Sequence, residues 1–223
     1  MYHFFKRTFD IILSFIALIV LSPIFLITAL LIKVSSPGPV FYVSFRAKKN
    51  GKPFKFFKFR SMHVTKKDKG MFVADPDRLF TIGKIIRKLK IDELPQLLNV
   101  FLGDMSIVGP RPMPADTVDS IYHDEYKKVL DVRPGLTSAA SLYDYVVGDT
   151  YSDNEKYIKE VLPVKVEMEL IYVEKESFFY DISLIFRTII AIFSVLFHCK
   201  KKPAQKEAAV AKERLLRKNN GII

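Results

Sequence analysis

The sequence predicts a membrane-associated α/β protein that is mainly helical, and three observations carry that reading. Residues 11–32 form one apolar run whose polar members are only Ser14, Ser22 and Thr28. Most of the remaining chain shows helical periodicity, with strand-like stretches early on. A mean hydropathy of +0.14 coexists with 26% charged residues, which suits strongly apolar segments joined to a polar body. At 223 residues, 49% of them hydrophobic, the chain is long enough for one compact domain plus a membrane element.

The apolar run comes first. At 1.5 Å per residue its roughly 22 residues make a helix of about 33 Å, close to the thickness of a bilayer core. It is too long for a signal-peptide core, and it ends in Lys33-Val-Ser-Ser-Pro37 rather than a small-residue cleavage site, so it is expected to be retained. Two geometries compete. One is a single crossing. The other uses Ser22-Pro23, where proline removes a backbone donor and serine can satisfy the freed carbonyl; a sharp kink there returns the helix to its starting face. Lys6 and Arg7 precede the run, and Lys33, Arg46, Lys48 and Lys49 follow it, so both flanks read as cytoplasmic.

Ser35-Ser-Pro-Gly-Pro39 ends the helix, and residues 40–45 read as a short strand. Pro53-Phe-Lys-Phe-Phe-Lys-Phe-Arg60 interleaves aromatics with cations. A partly buried strand with solvated lysines is the plainest reading; membrane-interface contact and nucleic-acid stacking are the others. Residues 66–69 read as a charged loop, 82–89 as a basic amphipathic helix, and 94–102 as a second helix. Pro110, Pro112 and Pro114 impose a stiff, irregular connection. Residues 118–130 and 154–172 read as helical, the latter interrupted near Pro163. Residues 182–197 are apolar but carry Arg187, which suits an amphipathic helix lying in a membrane interface. A basic, helix-prone tail from Lys200 onward is expected to be peripheral. The chain thus divides into a membrane helix (1–36), a body (37–198) and a tail (199–223).

The formal net charge of +11 and pI of about 9.6 fit an anionic partner, whether nucleic acid, lipid headgroup or phosphorylated substrate. Cys199 is the single cysteine, which excludes an intrachain disulfide and fits a reducing compartment. His3, His63, His123 and His198 lack metal-ligand spacing, which argues against zinc.

The most suggestive stretch for chemistry is Arg87-Lys-Leu-Lys-Ile-Asp92-Glu93-Leu-Pro95-Gln-Leu-Leu-Asn99. Proline is tolerated in a first helical turn, so a helix is expected to start at or just after Asp92. Locally, Asp92 reads as an N-cap and Glu93 as a complement to the helix dipole. Alternatively, adjacent carboxylates flanked by Arg87, Lys88 and Lys90 at a helix N-terminus form a phosphate site. One carboxylate would hold Mg²⁺ and the other would attack phosphorus, with the cations screening the repulsion between anions. In Gly109-Pro110-Arg111-Pro112 the prolines hold a guanidinium on a rigid segment suited to bidentate phosphate recognition; a surface turn is the simpler reading. Arg133-Pro-Gly135 is similar. Asp75-Pro-Asp77 has the D-x-D form of some glycosyltransferase metal sites, and also the form of a turn.

Taken together, these residues resemble the bacterial sugar transferases, the monotopic phosphoglycosyl transferases. The resemblance rests on Leu21-Ser-Pro23, Lys58-Phe-Arg-Ser-Met62, Asp77-Arg78 with Gly83, and above all the block 91–100 followed by Gly103-Asp-Met-Ser-Ile-Val-Gly-Pro-Arg-Pro112. Arg133-Pro-Gly-Leu-Thr137 and residues 172–185 extend it. The match spans roughly residues 3–195. It implies a re-entrant membrane helix bent at Ser22-Pro23, with interfacial helices and the body on the cytoplasmic face of the bacterial inner membrane. It implies that Asp92 attacks the β-phosphate of a UDP-sugar, releases UMP and carries the sugar phosphate covalently until undecaprenyl phosphate, a polyprenol, accepts it. Asp92 and Glu93 would be the catalytic pair and the ligands of Mg²⁺. Lys58, Arg60, Arg87, Arg111 and Arg133 would contact substrate phosphate. Anionic membrane lipids are expected partners, nucleic acid is not, and the resemblance leaves room for a homodimer.

Two departures stand out. Many members continue Gly-Trp-Ala-Gln after the Arg-Pro-Gly motif, where this chain reads Ser138-Ala-Ala-Ser-Leu-Tyr-Asp-Tyr145. Lys90-Ile91 stands where Ser-Leu is common. Larger members also carry extra N-terminal membrane helices, so this chain looks like a minimal catalytic form. Two other functions compete with the transferase: a D-x-D glycosyltransferase using Asp75 and Asp77, which releases UDP, and a non-catalytic basic membrane adaptor.

Overall fold

The computed structural model describes residues 1–63, 75–196 and 204–221; the loop expected at 66–69 lies outside them. Two helices begin the chain, α1 (Tyr2–Val20) and α2 (Ser22–Ser35), bent by 58° at their junction. The break falls at Leu21, beside the expected Ser22-Pro23. Pro23 has no N–H for Ile19 O, and the Ser22 hydroxyl donates to that carbonyl instead, at 2.7 Å. Among the described residues no single helix is long and apolar enough to cross a membrane, while this bent pair passes the same test together.

The first helix starts well before the apolar run because its polar residues face the body. Lys6 pairs with Asp181, Arg7 donates to the carbonyls of Val100 and Phe101, and buried Asp10 accepts the Ile107 amide. Phe4, Phe5, Ile12, Phe15, Ile16 and Ile19 are left exposed, so α1 is amphipathic along its length.

An antiparallel hairpin follows, β1 (Phe41–Ala47) and β2 (Pro53–Phe59), paired from Phe41↔Phe59 to Ala47↔Pro53. Asn50 and Gly51 close it with positive φ, as an Asn-Gly pair readily does. The aromatic-cation stretch is therefore a strand. Phe54, Phe56 and Phe59 are buried, and α2 leans on β2 through Phe25 and Phe59, whose ring centroids are 5.4 Å apart.

Next come α3 (Thr81–Lys88), a 3-10 turn (Ile91–Glu93) and α4 (Gln96–Leu102). The helix expected from residue 94 starts two residues later, since the preceding turn winds as 3-10. Residues 106–108 form β3 (Ser106–Val108), parallel to a later short strand, residues 135–137. Of the helix expected over 118–130 only α5 (Val118–Ile121) forms. Tyr122 turns into the core, Asp124 takes a left-handed φ of 49°, and Asp124–Asp131 continues as 3-10. The later strand is β4 (Gly135–Thr137), followed by α6 (Ala139–Val146) and α7 (Asn154–Glu160). A break at Val161 precedes α8 (Leu162–Lys175), with Pro163 in its first turn as the sequence suggested.

The main core gathers around α8, α6 and β3, and a smaller cluster of Ile32, Phe59, Phe80 and Ile86 joins α2, β2 and α3. Residues 178–196 form α9 (Phe178–Leu196), with Leu184 and Ala191 inward and Phe179, Phe186 and Phe193 exposed. The tail is helical as expected, as α10 (Gln205–Asn219), but it is not peripheral. Ala204, Ala208 and Ala211 are buried in the main core. Arg187 forms a bidentate pair with Glu207 at 2.5 and 2.9 Å, and Lys218 reaches Glu167 of α8 at 2.6 Å.

Candidate active site

Asp92 lies in the 3-10 turn between α3 and α4. The turn is entered through Lys90, whose φ of 56° is left-handed, a conformation non-glycine residues adopt only when their surroundings hold it. The hold comes from α6. The Tyr145 hydroxyl donates to Lys88 O at 3.0 Å, a carbonyl in the last turn of α3, and the Lys90 ammonium stands 4.4 Å from the centroid of the Tyr145 ring. The segment Ser138–Tyr145, where the chain departs from the common family pattern, thus forms a helix capped by the Ser138 hydroxyl, which accepts the Ser141 amide.

Asp92 is 3% exposed and makes no capping bond. Its Oδ1 has no hydrogen-bond partner within the described residues. One turn on, Gln96 is fully buried and both of its amide atoms are also unpartnered. Buried polar groups are normally satisfied. Three such orphan atoms thus fall within one turn.

Glu93 is clamped. Arg111 donates to both carboxylate oxygens, at 2.5 and 3.2 Å, and Lys58 of β2 reaches Oε1 at 3.0 Å. Arg111 is placed by its glycine neighbourhood. Gly109 and Gly135 approach so closely that a Cβ on Gly135 would lie 2.1 Å from the Gly109 nitrogen, and the Gly135 amide donates to Pro110 O at 2.7 Å. The two Arg-Pro motifs are thus one structure, with glycine required where their backbones touch. The Arg111 amide then donates to Glu169 of α8 at 2.9 Å.

Burial pushes the Asp92 carboxyl up against the pull of Lys58, and the neighbouring Glu93 charge pushes it the same way. Burial opposes the Glu93 charge too, yet Arg111 and Lys58 hold that carboxyl well below the usual range. Lys58 is pulled down by burial while Glu93 works to keep it charged. Glu169, fully buried, is pushed up to about 7 by burial against the lowering effect of its bond from the Arg111 amide. Two adjacent carboxyls are therefore driven apart in acidity: Glu93 is a fixed anion within an ion cluster, and Asp92 is an unclamped carboxyl beside it.

Of the residues expected in the site, Lys58, Asp92, Glu93 and Arg111 come together, and Arg87 acts on Asp92 through its charge. Two others lie elsewhere. Arg60 is buried and donates to Ser36 O at 2.6 Å, Pro37 O at 2.7 Å and the Ser36 hydroxyl at 3.1 Å. It ties the end of α2 to β2 through both of its terminal nitrogens. Arg133 donates to Gly103 O at 3.0 Å and lines a separate cavity beside α1. Asp75 and Asp77 form a turn, with the Asp77 amide donating to the Asp75 carboxylate at 3.0 Å.

Several contributors escaped the sequence reading. Buried Asn99 locks α4 to β2, donating to Lys55 O at 2.7 Å and accepting the Phe57 amide at 3.2 Å. Arg46 stacks over Phe56, and burial, then the nearby Arg111 charge, lowers it to about 10. Asp144 holds Lys165 at 2.7 Å and accepts the Tyr157 hydroxyl at 2.7 Å. Glu169 is one of three charged residues, with Lys165 and Glu167, that α8 buries among apolar neighbours. Among the described residues no cluster of three or more His, Cys, Asp or Glu side chains could hold a metal.

Residues 1–195 match the model of the family described as bacterial sugar transferase. The chain is 38% identical, over 86% of its length, to a UDP-N-acetylgalactosamine-undecaprenyl-phosphate N-acetylgalactosaminephosphotransferase of Aeromonas hydrophila, covering 44% of that protein. It is 36% identical, over 82% of its length, to a UDP-glucose:undecaprenyl-phosphate glucose-1-phosphate transferase of Escherichia coli, covering 39% of it. An uncharacterized sugar transferase of Bacillus subtilis, EpsL, is 37% identical over 82% of the chain and 85% of its own length. The chain spans less than half the length of the first two.

Proposed function

The chain belongs to the bacterial sugar transferase family, and from that premise we propose that it moves a sugar 1-phosphate from a UDP-sugar onto undecaprenyl phosphate, releasing UMP and starting a cell-surface glycan. The observation that carries this reading is the buried, unpartnered Oδ1 of Asp92 beside a Glu93 clamped by Arg111 and Lys58. The other two readings lack such support. The Asp75 carboxylate accepts the Asp77 amide in a turn, and a passive adaptor has no use for two adjacent carboxyls set at different acidities.

In the proposed reaction an Asp92 oxygen attacks the β-phosphorus of the UDP-sugar. The bond from that phosphorus to the UMP oxygen breaks, and UMP leaves with the electron pair. An oxygen of undecaprenyl phosphate then attacks the same phosphorus and returns Asp92 to its carboxylate. Arg87, Lys58 and Lys90 stand where charge on the phosphoryl oxygens needs offsetting, and Arg111 keeps Glu93 in place. Asp92, whose Oδ1 is unpartnered among the described residues, would be the first carboxylate open to Mg²⁺. Glu93 would join it by exchanging a contact with Arg111 or Lys58. Mg²⁺ takes few protein carboxylates and completes its shell from water and substrate phosphate. When bound, it would neutralise charge on the diphosphate. The bent α1–α2 pair is read as a re-entrant element, with α9 in the interface and the body on the cytoplasmic face of the inner membrane.

The test is a half-reaction. Enzyme and UDP-sugar without polyprenol should release about one UMP per site, with a sugar-phosphate adduct on the peptide bearing Asp92 after acid quench. Asp92→Asn should abolish both, slowing turnover at least about a thousandfold. Strict dependence of UMP release on the acceptor, with no adduct, would overturn the covalent step. A Mg²⁺ titration unchanged by Glu93→Gln would remove that residue from the metal.

A further inference from the structure

A cavity of about 100 Å³ lies against the first turns of α1, and none of Lys58, Asp92, Glu93 or Arg111 lines it. Its walls include Arg7, Lys49, Arg133 and the buried Ser106. The acids around it already have partners. Asp181 takes Lys6 and the hydroxyls of Tyr2 and Tyr172, Glu176 faces His3 at 3.3 Å, and Asp10 accepts the Ile107 amide. Arg7, Lys49 and Arg133 have no carboxylate at ion-pair distance among the described residues.

The two arginines converge on the C-terminal end of α4. Arg7 donates to Val100 O at 2.6 Å and Phe101 O at 2.9 Å, and Arg133 to Gly103 O at 3.0 Å. Helix carbonyls favour a cation there, but partial charges offset two guanidiniums incompletely, and the pair is close enough to repel. Lys49 adds a third positive charge to the same cavity. The buried Ser106 hydroxyl, 1% exposed, faces the Asp10 carboxyl, which burial pushes up, and helps to lower it. Phe4, Phe5, Phe101 and Leu102, on the same turns of α1 and the same end of α4, are exposed. Cations bordering exposed aromatic and aliphatic side chains match the headgroup level of a bilayer.

We propose that this cavity binds the phosphate of an anionic phospholipid headgroup, with Arg7, Lys49 and Arg133 as its cationic contacts. The inference rests on the reading of α1 and α2 as a membrane element. Arg133, which the motif suggested for substrate phosphate, serves lipid phosphate instead, and the cavity fixes how α1 sits at the surface. Headgroup attraction is worth about fivefold in affinity per basic residue.

The full chain in neutral detergent is titrated with phosphatidylglycerol, phosphatidylcholine or inorganic phosphate. Amine-reactive footprinting reports Lys49, and native mass spectrometry counts retained lipid. Phosphatidylglycerol should protect Lys49 and be retained as a single molecule, while phosphatidylcholine should do neither. Arg133→Gln and, separately, Lys49→Gln should each weaken retention about fivefold; both residues are exposed, so the fold should survive. Equal retention of phosphatidylcholine overturns the proposal. So does protection by inorganic phosphate without phosphatidylglycerol, which points to a free-phosphate site. The same loss on Lys128→Gln would reduce the effect to general surface charge and overturn it as well. UMP release by the wild-type chain in the same preparations decides the transfer reading separately, whichever way the lipid result falls.

Discussion

The Ser22 hydroxyl donates to Ile19 O at 2.7 Å, the carbonyl to which Pro23, lacking an N–H, cannot donate. The bend between α1 and α2 is therefore a satisfied structure, stable where water is scarce. Pro23→Leu restores the missing N–H and should straighten the pair. With Cys199 replaced by serine, single cysteines at Met1 and Lys52 should both resist reagents applied outside the cell. In the Pro23→Leu background the Met1 site should become labelled.

Gln96 is fully buried with its amide unpartnered. Under the proposed function, that amide faces the substrate. Gln96→Leu removes the unsatisfied atoms at similar volume, so the melting temperature should hold or rise by a few degrees. UMP release should fall at least about tenfold. A stable variant with full activity would make the residue incidental.

Tyr145 positions Lys90, and Lys90 faces the Asp92 turn. Tyr145→Leu and Lys90→Met should each lower kcat/KM about tenfold, and the double variant should lose little more than either. Tyr145→Phe keeps the ring and should stay within about threefold of wild type. Additive losses would mean that the two residues act separately.

Glu169 is pushed up to about 7. Below the ordinary glutamate value of 4.5 its proton is present in folded and unfolded chains alike. Between that value and about 7 only the folded chain keeps the proton, so stability falls as pH rises, and the loss is complete above 7. Glu169→Gln still accepts the Arg111 amide. It should be the more stable protein at pH 8, by at most about 3 kcal/mol, with the difference closing towards pH 4.5. Thermal melts of both proteins across that range measure it.

Local chemistry was legible where one residue type solves one local problem. Ser22-Pro23 and Pro163 each fall at the break their backbones dictate. Asp92 with Glu93, Lys58 and Arg111 was readable as a set because long motifs carried it. The contacts of Arg60 and Arg133 were not legible, because a motif names a residue without saying which carbonyls it meets once the chain is folded. The extent of α5 was overread because helical periodicity cannot reveal that Tyr122 turns inward. The tail looked peripheral for a related reason. Its inward face is alanine, which gives a weak periodic signal, and most of its charge partners lie far away in sequence, on α8, α9 and the 3-10 segment 124–131.

That last packing bears on how the chain can be cut. Glu167 is 0% exposed, and its counter-charges are Lys218 at 2.6 Å and Arg214 at 3.6 Å, both on α10. The family match stops at residue 195, so an expression boundary drawn there would sever an acid from the only cations within ion-pair distance of it among the described residues. A buried charge stripped of its partner costs about 3–5 kcal/mol, a large fraction of a domain's whole stability. The damage would also be directional, since α8 carries Glu169 two residues further on, against the Arg111 amide. A shortened chain that folds poorly or works slowly would therefore report a missing counter-ion, and transplanting the catalytic block into another family member would need α10 to travel with it.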